Sequence, residues 1–64
     1  MTSLSEKALG ILQASDQTTF TNSDLIKNGF TEATAKVAIK ELEDAGYIFI
    51  RSTYVSGNVS FELL

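Results

Sequence analysis

Sixty-four residues suffice for one domain with a modest core. The apolar fraction of 44% fits a globular chain rather than a disordered one, and a net charge of −3 argues mildly against non-specific nucleic-acid binding. With no cysteine and no histidine, the chain can build neither a disulfide nor a thiolate metal site, and it lacks the commonest general base and transition-metal ligand.

The opening "MTSLSEKALGIL" has neither a basic leader region nor a long apolar run, so no signal peptide is expected. No apolar stretch approaches the roughly 20 residues that span a bilayer. The expectation is a soluble cytoplasmic protein with no membrane partner. Ser3 followed by Glu6 reads as a capping box that starts a first helix from about Leu4 to Ala14. Leu4, Ala8, Ile11 and Leu12, with Ala14 or Ser15, recur at helical spacing and form its apolar stripe. Gly10 within that helix either weakens it or permits close packing.

"SDQTTFT" is polar, with β-branched threonines around Phe20, and predicts a loop with a very short strand. Thr21 is the expected N-cap of a two-turn second helix, with Asp24 near its positive end and Leu25 and Ile26 inward. Asn28 and Gly29 stop it. Phe30 falls in the turn, where a large apolar side chain would fill the gap between two crossing helices. Thr31 caps a third helix, Glu32 to Ala45, whose inner face carries Ala35, Ala38, Ile39, Leu42 and Ala45, and Gly46 ends it.

The period then falls to two. "YIFIRSTYV", "SGN" and "VSFELL" predict strand, turn and strand. Ile48, Ile50, Phe61 and Leu63 would face the helices, and Tyr47 and Phe49 would point away. No repeat or linker interrupts this order.

Helix, short strand, two-turn helix, tight turn, helix, glycine and hairpin resemble the winged helix-turn-helix family of DNA-binding domains over nearly the whole chain. The residues that carry the resemblance are "FTNSDLIKNGFTEATAKVAIKELEDAGYI", with "FIRSTYVSGNVSFEL" as the wing. "SLSEKALGIL" and "KELEDAGYI" look like the N-terminal domains of phage and plasmid replication proteins and small regulators. The resemblance implies an α+β fold over residues 1–64, with three helices packed on a small antiparallel hairpin. It also implies a third helix that enters the major groove of double-stranded DNA.

On that implied geometry Lys36 and Lys40 face DNA, Ala33 and Val37 offer apolar contact to thymine methyls, and Lys27 and Arg51 hold phosphates. Ser56, Gly57 and Asn58 would bring the wing tip to the backbone or minor groove. Four of the five basic residues would then share one side. The bland account is equally visible, because Glu32, Lys36, Lys40 and Asp44 form an i+4 ladder that suits a solvated face. Arg51 would also blunt a strand edge. Glu32 is explained by the helix dipole, whereas Glu43 and Asp44 sit at the end where the dipole disfavours acids. Tyr47, Phe49 and Tyr54 would form an aromatic patch on the outer face of the hairpin, suited to a partner or a homodimer unless other segments cover it.

No enzyme chemistry is expected, since no base is present to activate the many hydroxyl groups. "SGN" is a turn rather than a phosphate cradle, and the Glu41, Glu43 and Asp44 cluster lacks calcium-loop spacing. The expected function is a sequence-specific DNA-binding regulator of transcription or replication, without cofactor, metal or small-molecule ligand. Its small size and its resemblance suggest a stand-alone phage or plasmid control protein. The rival is the same fold used as a protein-interaction module, an adaptor or inhibitor that does not bind DNA.

Overall fold

The computed structural model describes residues 1–64. Element order is α1 (Ser3–Gln13), β1 (Thr19–Thr21), α2 (Asn22–Ile26), α3 (Glu32–Asp44), β2 (Ile48–Thr53) and β3 (Val59–Leu63). This is the expected α+β architecture of three helices and a small antiparallel sheet, compatible with a winged-helix-like fold. No helix is long and apolar enough to cross a membrane.

Helix starts and stops follow local chemistry. At α1 the cap is Thr2, one residue before the expected Ser3–Glu6 box: the Thr2 hydroxyl accepts the Ser5 N–H at 3.3 Å, and the Ser5 hydroxyl donates to the Thr2 carbonyl at 3.0 Å. That exchange lets Ser5 be fully buried within the apolar stripe, beside Ala8 and Leu12. Leu4, Leu9 and Ile11 flank the stripe and are only partly buried. Gly10 does not mediate close packing; a Cβ there would meet nothing within 4 Å.

Asp24 accepts the Thr21 N–H at 2.8 Å and opens α2. At α3, Thr31 and Thr34 exchange bonds: the Thr31 hydroxyl accepts the Thr34 N–H at 3.1 Å, and the Thr34 hydroxyl accepts the Thr31 N–H at 2.8 Å. Both α2 and α3 stop in the same way. Gly29 and Gly46 adopt φ of +97° and +83°, and the N–H of the following aromatic, Phe30 or Tyr47, reaches back to Leu25 or Leu42. Only glycine takes that conformation without strain.

Two inward assignments are corrected. α2 has five residues, too short for two buried rows, so Leu25 turns inward with Asn22 while Ile26 is exposed. Ala45 is the C-cap of α3, where the chain already turns outward, and it is exposed.

β3 is the central strand of the sheet, with β1 and β2 antiparallel on either side. The short strand around Phe20 therefore completes the sheet rather than standing alone. Its register puts Phe20, Phe61 and Ile50 in one row across the inner face, where the Phe20 and Phe61 rings stack at 5.8 Å. Ile48 and Phe61 are buried, and Ile50 and Leu63 pack against the same core. Phe30 fills the turn between α2 and α3 as expected and is buried. The Lys7 ammonium lies 5.6 Å from its ring centre.

A long-range bond ties the two ends of the helical layer together. The Thr2 hydroxyl donates to the Glu41 carboxylate at 2.6 Å. This bond first, with the nearby Ser5 hydroxyl dipole adding to it, holds the Glu41 pKa below the usual glutamate range. A carboxylate with a depressed folded-state pKa stabilises the fold at neutral pH, and the contribution is lost as pH falls through that lowered value. Glu41→Gln is therefore expected to be less stable than the parent at neutral pH and to converge with it as the pH falls below the usual glutamate range. Urea titrations at a series of pH values test this; parallel curves would rule out the contact as a source of acid sensitivity.

Candidate functional site

Helix α3 turns by about 100° per residue. With Ala35, Ala38, Ile39 and Leu42 buried, Ala33, Val37, Lys40 and Asp44 point straight out from the core. Glu32, Lys36 and Glu43 lie on the flank toward the hairpin, and Glu41 lies on the flank toward α1, where Thr2 holds it. The directly outward face is thus two small or branched apolar residues and one charge pair. Val37 is half-exposed there.

Lys40 donates to Asp44 at 3.0 Å, forming the lower rung of the i+4 ladder. That hydrogen bond, with the attraction of the Asp44 charge, raises the Lys40 pKa. Glu32 and Lys36 do not form the upper rung: Lys36 has no carboxylate partner. Its side chain runs instead to the hairpin turn, where a Cβ on Gly57 would lie 3.2 Å from the Lys36 ammonium.

The hairpin departs from the expected three-residue turn. β2 stops at Thr53, and the connection is Tyr54 to Asn58, closed by Tyr54 N–H to the Asn58 carbonyl at 2.8 Å and Gly57 N–H to the Tyr54 carbonyl at 2.9 Å. Gly57 has φ of +90°. Ser56, Gly57 and Asn58 form its far half and are exposed, and Val55, expected in the strand, is fully exposed in the same turn. An irregularity between Ile50 and Ser52 shifts the ladder by one residue.

Arg51 occupies that irregularity, and its guanidinium pairs with Glu62 on the neighbouring strand at 3.2 Å. Lys27, the C-cap of α2, borders a separate open cleft of about 640 Å³ between α1 and α2, together with Lys7, Asp24 and Asn28. The expectation that Lys27, Lys36, Lys40 and Arg51 form one basic side therefore needs correcting. Lys36 and Lys40 share a groove, Lys27 lies with Lys7, and Arg51 is neutralised by Glu62.

The groove shared by Lys36 and Lys40 lies between α3 and the hairpin and measures about 280 Å³. Ile39, Ile50 and Val59 line its apolar part, and Glu43 borders it as well. Asn22 also borders it, a residue that sequence reasoning missed. Asn22 is 2% exposed, and its side-chain carbonyl accepts the Val59 N–H at 2.8 Å. The bond ties the first turn of α2 to the first residue of β3. A polar residue three before Leu25, on the inward row of a short helix, was the available signal.

Tyr47, Phe49 and Tyr54 are exposed at 43%, 52% and 53%, so no other segment covers them. Tyr47 immediately precedes β2, Phe49 lies near its start and Tyr54 follows its end.

No protein-family model matches the chain, and no curated protein matches it in sequence.

Proposed function

We propose that the protein binds double-stranded DNA sequence-specifically as a regulator of transcription or replication, with α3 in the major groove and the hairpin as its wing. The observation that carries this reading is the position of Lys36: a lysine without a carboxylate partner, on the flank of an exposed helix, beside the hairpin turn. α3 and a wing loop bordering one groove give DNA a helix for base edges and a loop for the backbone. Ala33 and Val37 are the apolar contacts to thymine methyls, and Lys40 is the second basic contact. The resemblance to winged helix-turn-helix domains supports the same reading.

The charge arrangement sets the expected magnitude. With Arg51 held by Glu62, Lys40 by Asp44 and Lys27 on another surface, one unpaired phosphate contact remains for one copy, a log–log salt slope of about −0.9. Such binding is weak, and a homodimer on a symmetric site would double the slope.

Anisotropy titrations of a labelled duplex pool at several salt concentrations test the proposal. Lys36→Ala is expected to lower the slope by about 0.9. Lys40→Ala has a smaller effect, because Asp44 already occupies its ammonium, and Asp44→Ala strengthens binding by releasing it. No duplex binding at low salt, or identical slopes for the parent and Lys36→Ala, would overturn the assignment.

The rival reading, a protein-interaction module, draws on the fully exposed Val55 and the half-exposed Phe49 and Tyr54 on the hairpin. It predicts no duplex retention at any salt concentration.

A further inference from the structure

The groove between α3 and the wing contains an unused donor. Asn22 is almost wholly enclosed, and the Val59 N–H fixes which way its amide points, because only the carbonyl oxygen can accept it. The amide nitrogen donates to no protein atom. It is not sealed in either, since no fully buried side-chain polar atom in the molecule lacks a partner. Asn22 borders the groove together with Lys36 and Thr53. A nearly buried amide nitrogen whose two N–H groups meet no protein acceptor is costly unless something else accepts from it.

Lys36 supplies the charge for such an acceptor. It is the lysine of this groove without a carboxylate partner, whereas Lys40 is committed to Asp44. Glu43, the one acid on the groove, is seven residues from Lys36 along α3, about 10 Å down the axis. The donor-rich end and the acidic end are thus separate. Ile39, Ile50 and Val59 lend low-dielectric surroundings that strengthen a charged hydrogen bond.

We infer that this end of the groove is a seat for one tetrahedral oxyanion of the phosphate type, held by the Asn22 amide nitrogen and the Lys36 ammonium. The phosphate comes either from a nucleic-acid backbone or from a free phosphate. Only the first source rests on the DNA-binding reading; the seat itself does not. Asn22 then has two roles at once: its oxygen positions the wing and its nitrogen recognises the anion.

The test is NMR on the full-length ¹⁵N-labelled chain, following the Asn22 side-chain amide while inorganic phosphate is added against chloride at equal ionic strength. Phosphate is expected to shift that resonance and chloride not to. Lys36→Gln, a change at an exposed side chain, is expected to weaken the phosphate response about fivefold. Asn22→Asp keeps an acceptor for Val59 but replaces the donor with a carboxylate, and is expected to abolish the phosphate shifts that the parent shows at the backbone amides of Gly57 and Val59 while Val59 stays protected. A shift equal in chloride, or one unchanged in Lys36→Gln, overturns the seat.

A short duplex provides the second arm. If both phosphate and duplex move the Asn22 amide, the seat takes a backbone phosphate. If phosphate moves it and no duplex binds, the seat stands for free phosphate and the DNA-binding reading fails. If a duplex binds while neither ligand moves Asn22, the DNA-binding reading stands and the seat is overturned.

Discussion

Phe61→Ala is expected to leave half or more of the protein unfolded at room temperature. Phe61 is fully buried on the central strand, between Phe20 and Ile50 in the same cross-strand row, and its ring stacks on Phe20. Truncating a buried phenylalanine costs about 3–5 kcal/mol, the transfer of the ring plus the cavity it leaves. A domain below about 70 residues without a disulfide or metal rarely holds more than about 3–5 kcal/mol in all. The substitution removes an amount equal to the whole stability. Circular dichroism and urea titration check this: the variant should show no native baseline, while Phe61→Leu should fold with a lowered midpoint. A Phe61→Ala midpoint near that of the parent would mean that the core is centred elsewhere.

The second large effect is expected at Asn22. Asn22→Ala removes the acceptor of the Val59 N–H and leaves a small cavity between α2 and the wing, at a cost of about 1–3 kcal/mol. The loss should also be local. Amide exchange at Val59 and Ser60 should accelerate more than exchange in α1, because Asn22 is the one side-chain hydrogen bond joining α2 to β3. Uniform acceleration across the molecule would show that Asn22 contributes only to global stability and does not hold the wing. Any DNA affinity should fall with wing order, since a mobile loop must be fixed at the moment of binding.

Much of the fold is readable in the chain because its signals are short-range. Thr31 and Gly46 bound α3 through hydrogen bonds that span at most five residues. The inner face of α3 follows from a period of 3.6 residues, and Ile48, Ile50, Phe61 and Leu63 from a period of two. Where local reading slipped, the cause was a competing local bond or a short element. Thr2 rather than Ser3 caps α1 because the Ser5 side chain turns back to it, and Ile26 is outward because a helix of five residues buries one row.

The candidate site was legible in type and not in state. Ala33, Lys36, Val37 and Lys40 are exposed on α3 as their spacing requires. Which lysine carries free charge depended on neighbours far along the chain. Glu62 reaches Arg51 only because β3 lies beside β2, and Lys36 meets Gly57 only because the hairpin folds back over α3. Asn22 is linked to Val59 across 37 positions of sequence, and no pattern within one helix turn announces such a bond.

By itself the sequence determined three helices, the Thr21 and Thr31 starts and glycine stops of α2 and α3, the strand alternation and most of the core, since each depends on residues within a turn or two of one another. Only the tertiary structure decided that the basic residues divide between two surfaces, that Arg51 is spent on Glu62, and that a buried amide and a free lysine meet in one groove. Those outcomes depend on Coulomb and hydrogen-bond contacts of a few ångströms between distant segments, and packing alone brings such segments within reach.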